Sequence, residues 1–281
     1  PESPRWLCSK GREAEARRLL ALISADPDAP QGISASASSA LLGVLIAERK
    51  PEQAESLLKV MLPTQSLDDR ERDARRVAFA WALSGDVARG EALVSSDSSV
   101  TGMALRGVLR AFTGDLVTAS AWLEAAGPYD EQRENSVERV RLLALLQLID
   151  RDTLPALGES LLTLARGDTV VAIDGLIGSG ESLAGPAQAA LRHYAGELAL
   201  ARGDTSGAME HLRLADTIAA PASAPAARLL MARILTARGR TDQAETLLEQ
   251  LIMDFPDSAV VPAARRMRDA NRGAVPGTVP I

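Results

Sequence analysis

One short phrase returns six times along this 281-residue chain. A turn-forming residue is followed by a few polar residues, then by a small residue and a leucine-rich stretch. It reads GREAEARRLL from Gly11, RKPEQAESLL from Arg49, SGDVARGEAL from Ser84 and TGDLVTASAWL from Thr113. It returns as RGDTSGAMEHL from Arg202 and as RGRTDQAETLL from Arg238. Small residue and leucine lie four apart, so both fall on one face of a helix. Each copy is read as the tight turn between two short antiparallel helices, with the start of the second helix. A helical hairpin cannot bury its apolar face alone, so successive copies must stack. That restricts the chain to an all-α stack of hairpins, an architecture that binds more often than it catalyses.

Anchored on the turn residue, the spacing is 36 residues from Arg49 to Gly85 and from Gly203 to Gly239. It is 38 from Gly11 to Arg49 and 29 from Gly85 to Gly114. The small residue and the apolar residue four later are Ala16 and Leu20, Ala54 and Leu58, Ala119 and Leu123, Ala208 and Leu212, Ala244 and Leu248. Gly90 holds the small position of the third copy. Prolines that stop the second helix are Pro27, Pro63, Pro128, Pro221 and Pro256. The values scatter about the roughly 34-residue period of tetratricopeptide units. The chain resembles the tetratricopeptide repeat (TPR) superfamily. The resemblance implies a right-handed superhelical solenoid of antiparallel helix hairpins over 1–271. Near residues 150–186 the pattern becomes irregular. The fifth turn is degenerate at Arg151, and TVVAIDGLIGSGESLAG is read as one short helix and a Gly/Ser-rich loop. The tail after Asn271, 272–281, is read as a disordered end or linker. In the last hairpin, Phe255, Pro256, Ser258, Ala263 and Ala264 are similar to bacterial envelope TPR proteins. That similarity leaves both the cell envelope and the cytoplasm open as compartments.

Composition agrees with an all-helical reading. Apolar residues are 46% of the chain and aromatics only 3%, and no strand pattern persists. The net charge of −6, from 37 acidic and 31 basic side chains, argues against a broad nucleic-acid surface. No run of 18 apolar residues suggests a membrane span. The lone Cys8 forbids an intramolecular disulfide. The start at Pro1 reads as a processed or trimmed end.

The inventory of reactive groups is thin. His193 and His211 are the two histidines, and no HExxH or CxxC pattern surrounds them. GLIGSGESLAG superficially resembles a phosphate loop but lacks the Lys-Ser/Thr ending. No catalytic residue, metal site or cofactor is predicted.

In the family, the first helices of successive hairpins line a concave face. The resemblance transfers that rule to Arg72, Arg75 and Phe79 before Gly85 and to Glu138, Arg141 and Leu145 before Arg151. It selects His193 and Glu197 before Gly203, Leu229 and Arg233 before Gly239, and the smaller Thr101, Ala104 and Val108 before Gly114. Arginines in such a groove could pair with carboxylates of an extended peptide. The reading is a non-enzymatic scaffold that binds a protein or peptide on its concave face. Two alternatives are a regulatory or sensor TPR module of a larger bacterial signalling protein, and an enzyme that uses the irregular 166–186 region.

Overall fold

The computed structural model describes residues 13–26, 28, 30–127, 136–218 and 223–273. Residues 1–12, which hold the turn at Gly11, lie outside the described residues, as do Pro27, the stretch 128–135 with Pro128, Pro221 and the tail from Ala274. Among the described residues there are fifteen α-helices and no strand. They are α1 (Glu13–Ala25), α2 (Gln31–Ala47), α3 (Pro51–Met61), α4 (Leu67–Ser84), α5 (Val87–Leu93), α6 (Val100–Thr113) and α7 (Leu116–Ala125). After them come α8 (Ser136–Gln147), α9 (Pro155–Ala165), α10 (Thr169–Gly180), α11 (Gly185–Ala201), α12 (Thr205–Ile218), α13 (Ala224–Ala237), α14 (Thr241–Asp254) and α15 (Val261–Asn271). Neighbours in sequence pack as pairs: α2 with α3, α4 with α5, α9 with α10, α11 with α12, α13 with α14. This is a TPR-like all-α arrangement of stacked hairpins.

The turns form because the chain supplies residues that tolerate a left-handed backbone. Gly85, Gly114, Gly203 and Gly239 have φ of 110, 76, 84 and 71°, and Arg49 takes the same region at 57°. In this region a Cβ meets the following carbonyl, which costs a non-glycine residue about 1–2 kcal/mol. The second helices then start on polar caps. Asp86 Oδ1 accepts from the Arg89 N–H at 2.9 Å, and Asp204 Oδ1 accepts from the Gly207 N–H at 2.9 Å. Proline occupies a first-turn position in α3, α9, α11, α13 and α15, where its missing N–H costs nothing.

One turn was not visible as such in the sequence reading. Arg151 is not left-handed; Gly167 is, with φ of 91°. The segment RGDTVVAIDGL from Arg166 is a further copy of the phrase, with Ala172 and Leu176 in the small and large positions. Both are fully buried. Gly167, Gly203 and Gly239 are thus spaced by 36 residues. The stretch expected to end in a Gly/Ser-rich loop is helix through Gly180, started by the Asp168 carboxylate on the Val171 N–H at 3.3 Å. Its backbone N–H groups from the second turn onward point along the helix, not toward a phosphate. The departure from the repeat lies earlier, in the single helix α8 and the link 148–154. Three backbone hydrogen bonds tie that link to Gly114–Val117: Leu116 N–H and Val117 N–H to Asp152 O at 2.9 and 3.4 Å, and Leu154 N–H to Gly114 O at 2.8 Å.

Contacts divide the chain into two compact units. One comprises Pro1–Thr113 with Thr118–Arg133, the other Gly114–Val117 with Glu134–Ile281. The first is centred on Leu20, Leu41, Leu42, Leu45, Ala54, Leu58, Val77 and Trp81. Buried carboxylates sit in it, among them Glu55 and Asp73. Glu55 accepts from Trp81 Nε1 and Arg89 Nε, each at 2.9 Å, and pairs with Lys59 at 2.8 Å. Asp73, fully buried, accepts from Gln65 Nε2 at 2.8 Å and Arg76 Nη1 at 3.1 Å. The second unit is centred on Ala195, Ala199, Ala208, Leu212, Ala232, Ala244, Leu248 and Leu251. The alanines let helices approach while the leucines fill the space beside them, each worth about 1.5–3 kcal/mol when buried. Here Arg228 spans Asp216 at 2.8 Å and Asp254 at 2.5 Å, with its guanidinium 5.1 Å from the Phe255 ring. The Phe255-Pro256 motif thus closes α14 against α13.

Candidate functional site

In the second unit, α8 and α11 leave a groove between them, completed by the start of α13. Leu145, Leu148, Ala144 and Ala190 form its apolar walls, with Tyr194, His193, Arg141, Glu197, Ser223 and Ala226 supplying polar groups. Its volume is about 230 Å³. The helical spacing explains the grouping. Arg141 and Leu145 share one face of α8, Leu148 follows directly after its end, and His193, Tyr194 and Glu197 share one face of α11.

Charge is arranged at the mouth. Arg141 Nη1 lies 3.5 Å from Glu197 Oε2, and its guanidinium stands 6.0 Å from the Tyr194 ring centroid. Burial pushes the Tyr194 phenol above its ordinary range. Burial also lowers His193, and Arg141 lowers it further, against the opposing pull of Glu197. At neutral pH the groove therefore presents an uncharged imidazole and a phenol beside one ion pair. These groups can donate and accept hydrogen bonds. No group of three or more His, Cys, Asp or Glu that could hold a metal ion occurs among the described residues.

Of the residues predicted from sequence, Arg141, Leu145, His193 and Glu197 come together in this groove. Glu138, exposed one turn earlier on α8, is close enough to act on the Tyr194 phenol. Arg233 is exposed on α13 and does not line the groove, and Leu229 is buried in the core. In the first unit Arg72, Arg75 and Phe79 lie along α4. Arg72 is half-exposed and pairs with Asp69 at 2.7 Å. Arg75 is committed to the fold. Its Nη1 lies 2.6 Å from the buried Asp97 carboxylate and 3.2 Å from Ser99 Oγ. Phe79 packs against Phe112, with ring centroids 6.1 Å apart.

The sequence reading missed Tyr194, Leu148 and Ser223. Tyr194 was within reach, because an aromatic is uncommon here and sits beside His193 on the same helix. Ser223 was not, because it enters from the next hairpin.

Residues 199–266 match the tetratricopeptide repeat family model, which spans α12, α13, α14 and part of α15. No curated protein matches the chain. Among solved structures, the P58(IPK) TPR domain is similar at 17% identity, with a TM-score of 0.35, over 85% of this chain. The match covers 65% of that structure's chain. The match over 199–266 identifies that segment as tetratricopeptide repeat, and the turn, small-residue and leucine positions of that segment recur through both units.

Proposed function

We propose that the chain is a non-enzymatic interaction scaffold, and that the α8–α11 groove receives one anchoring side chain of an extended segment from a protein partner. The observation that carries this reading is the groove's composition. Leu145, Leu148, Ala144 and Ala190 offer an apolar seat, and Arg141, Glu197 and Tyr194 stand at its mouth to fix orientation. Apolar seats with a few polar groups at the rim suit peptide side chains, while the backbone of the segment pairs with the rim. Arg72 and Phe79 on α4 are proposed as contacts contributed by the first unit. Arg75 is not, because its charge is already neutralised by Asp97. No described helix is long and apolar enough to cross a membrane.

The test uses a photo-cross-linking amino acid at Leu148, with Val60, an exposed position of the first unit, as control. Cross-linked partners recovered at Leu148 should be absent from the Val60 control. They should also disappear when Tyr194→Ala is added. A partner captured equally at Val60, or equally with Tyr194→Ala, rules the groove out.

A further inference from the structure

A second pocket in the same unit has the opposite chemistry. It is formed between α12 and the α13–α14 turn and has a volume of about 170 Å³. That equals the share of five or six liquid waters at about 30 Å³ each, enough for a tetrahedral anion. Its floor is Met209, Ile234 and Leu235, with the Ser206 side chain at one edge. Arg213, Arg238 and Arg240 surround it. Many other arginines in this chain have carboxylate partners, among them Arg17, Arg89, Arg110, Arg228 and Arg272. These three have none within ion-pair distance among the described residues. Three like charges thus surround one cavity in an acidic chain, with no ion pair among the described residues to offset them.

The comparison with the two preceding turns sharpens the point. Arg166-Gly167-Asp168, Arg202-Gly203-Asp204 and Arg238-Gly239-Arg240 have one backbone form. In each, the third residue's N–H donates to a carbonyl five residues back: Asp168 to Thr163 at 3.2 Å, Asp204 to Ala199 at 2.9 Å, Arg240 to Leu235 at 2.9 Å. At the first two turns the aspartate caps the next helix. At the third the residue is Arg240, and it makes no side-chain cap. At this turn the position that caps the next helix in the two preceding turns instead carries a third cation beside Arg213 and Arg238. A local rule broken without a compensating internal contact marks functional positions. The turn fixes the backbone of Arg238 and Arg240 two residues apart around Gly239, while the side chains of Arg213, Arg238 and Arg240 are exposed.

We infer that the Arg213–Arg238–Arg240 pocket binds a phosphate dianion, free or as a monoester. Guanidinium forks match phosphate oxygens bidentately, and a dianion answers three cations where a single carboxylate does not. A phosphomonoester is largely dianionic at pH 7, because its second pKa is about 6. The apolar floor suits the carbon skeleton of an ester.

The full chain is titrated with inorganic phosphate, glycerol phosphate and acetate at matched ionic strength. The thermal midpoint and the arginine side-chain N–H resonances are followed. Both phosphates should raise the midpoint saturably at about millimolar concentration, more strongly at pH 8 than at pH 5.5, and acetate should not. Tighter binding of glycerol phosphate assigns the site to esters, and equal binding assigns it to the free ion. Arg213→Gln with Arg238→Gln should weaken binding at least tenfold. Arg240→Asp restores the cap of the preceding turns, so it should raise the midpoint without phosphate and still weaken the response tenfold. Arg265→Gln with Arg266→Gln, exposed on α15, makes the same charge change and should leave binding intact. No saturable response, an equal response to acetate, or an equal loss in the α15 variant would overturn the assignment.

Discussion

Gly90→Ala tests whether the small position of each repeat sets the distance between paired helices. Gly90 lies on α5 and faces α4. A Cβ built on it would stand 2.4 Å from the Ala78 carbonyl oxygen and 3.2 Å from its carbon. Ordinary contact begins at about 3.4 Å. The opposing atoms are backbone, so α5 must move away by about an ångström and cannot relieve the clash by a rotamer change. Overpacking of this kind costs about 1–3 kcal/mol. Alanine returns about 1 kcal/mol of helix propensity. The net loss is up to about 2 kcal/mol. Gly178→Ala is the matched control, since nothing lies within 4 Å of a Cβ there. It should gain about 0.5–1 kcal/mol. Repeat arrays need not unfold in one step, so urea melts followed by circular dichroism are paired with native-state hydrogen exchange. Amides of α4 and α5 should exchange faster in Gly90→Ala, by up to about 30-fold, while those of α10 slow in Gly178→Ala. If both substitutions stabilise by the same amount, propensity alone governs Gly90 and the close-approach argument fails.

Ala208 and Ala244 are fully buried, so Leu at either should cost about 1–3 kcal/mol; unchanged urea midpoints in both variants would show that the hairpins open without strain. Arg75→Ala should cost about 1.5–3 kcal/mol by stranding the Asp97 carboxylate, read as a lower melting midpoint, and a loss below about 0.5 kcal/mol would show that Ser99 alone satisfies Asp97. Glu55 is held below the ordinary carboxylate range by the hydrogen bond from Lys59, then by those from Arg89 and Trp81, against the effect of burial. A depressed folded-state value means its contribution is present above about pH 4.5 and is lost as pH falls through that lower value. The stability gap between wild type and Glu55→Gln should therefore shrink on going from about pH 6 to about pH 3, and a gap independent of pH would show that the carboxylate charge contributes nothing.

The helices were legible in the sequence because their determinants are local. The turn glycines, the Asp86 and Asp204 caps and the Ala–Leu pairs act within about nine residues, and each is read from its own neighbours. Gly167 shows the limit of that reading. Its RGDT tetrapeptide repeats the one at Arg202, and only the left-handed backbone and the buried Ala172 and Leu176 identify it as the same turn. The sites needed tertiary structure. Arg75 has the spacing of an anchor, and the Asp97 carboxylate that neutralises it lies 22 residues away. Tyr194, Leu148 and Ser223 meet because three helices converge. Arg213 reaches Arg238 and Arg240 only when α12 packs on α13. Sequence fixes which face of a helix a residue occupies, since a helix is a local object with a constant period. Which face meets which depends on how side chains from distant segments interlock, and that is decided when the hairpins pack.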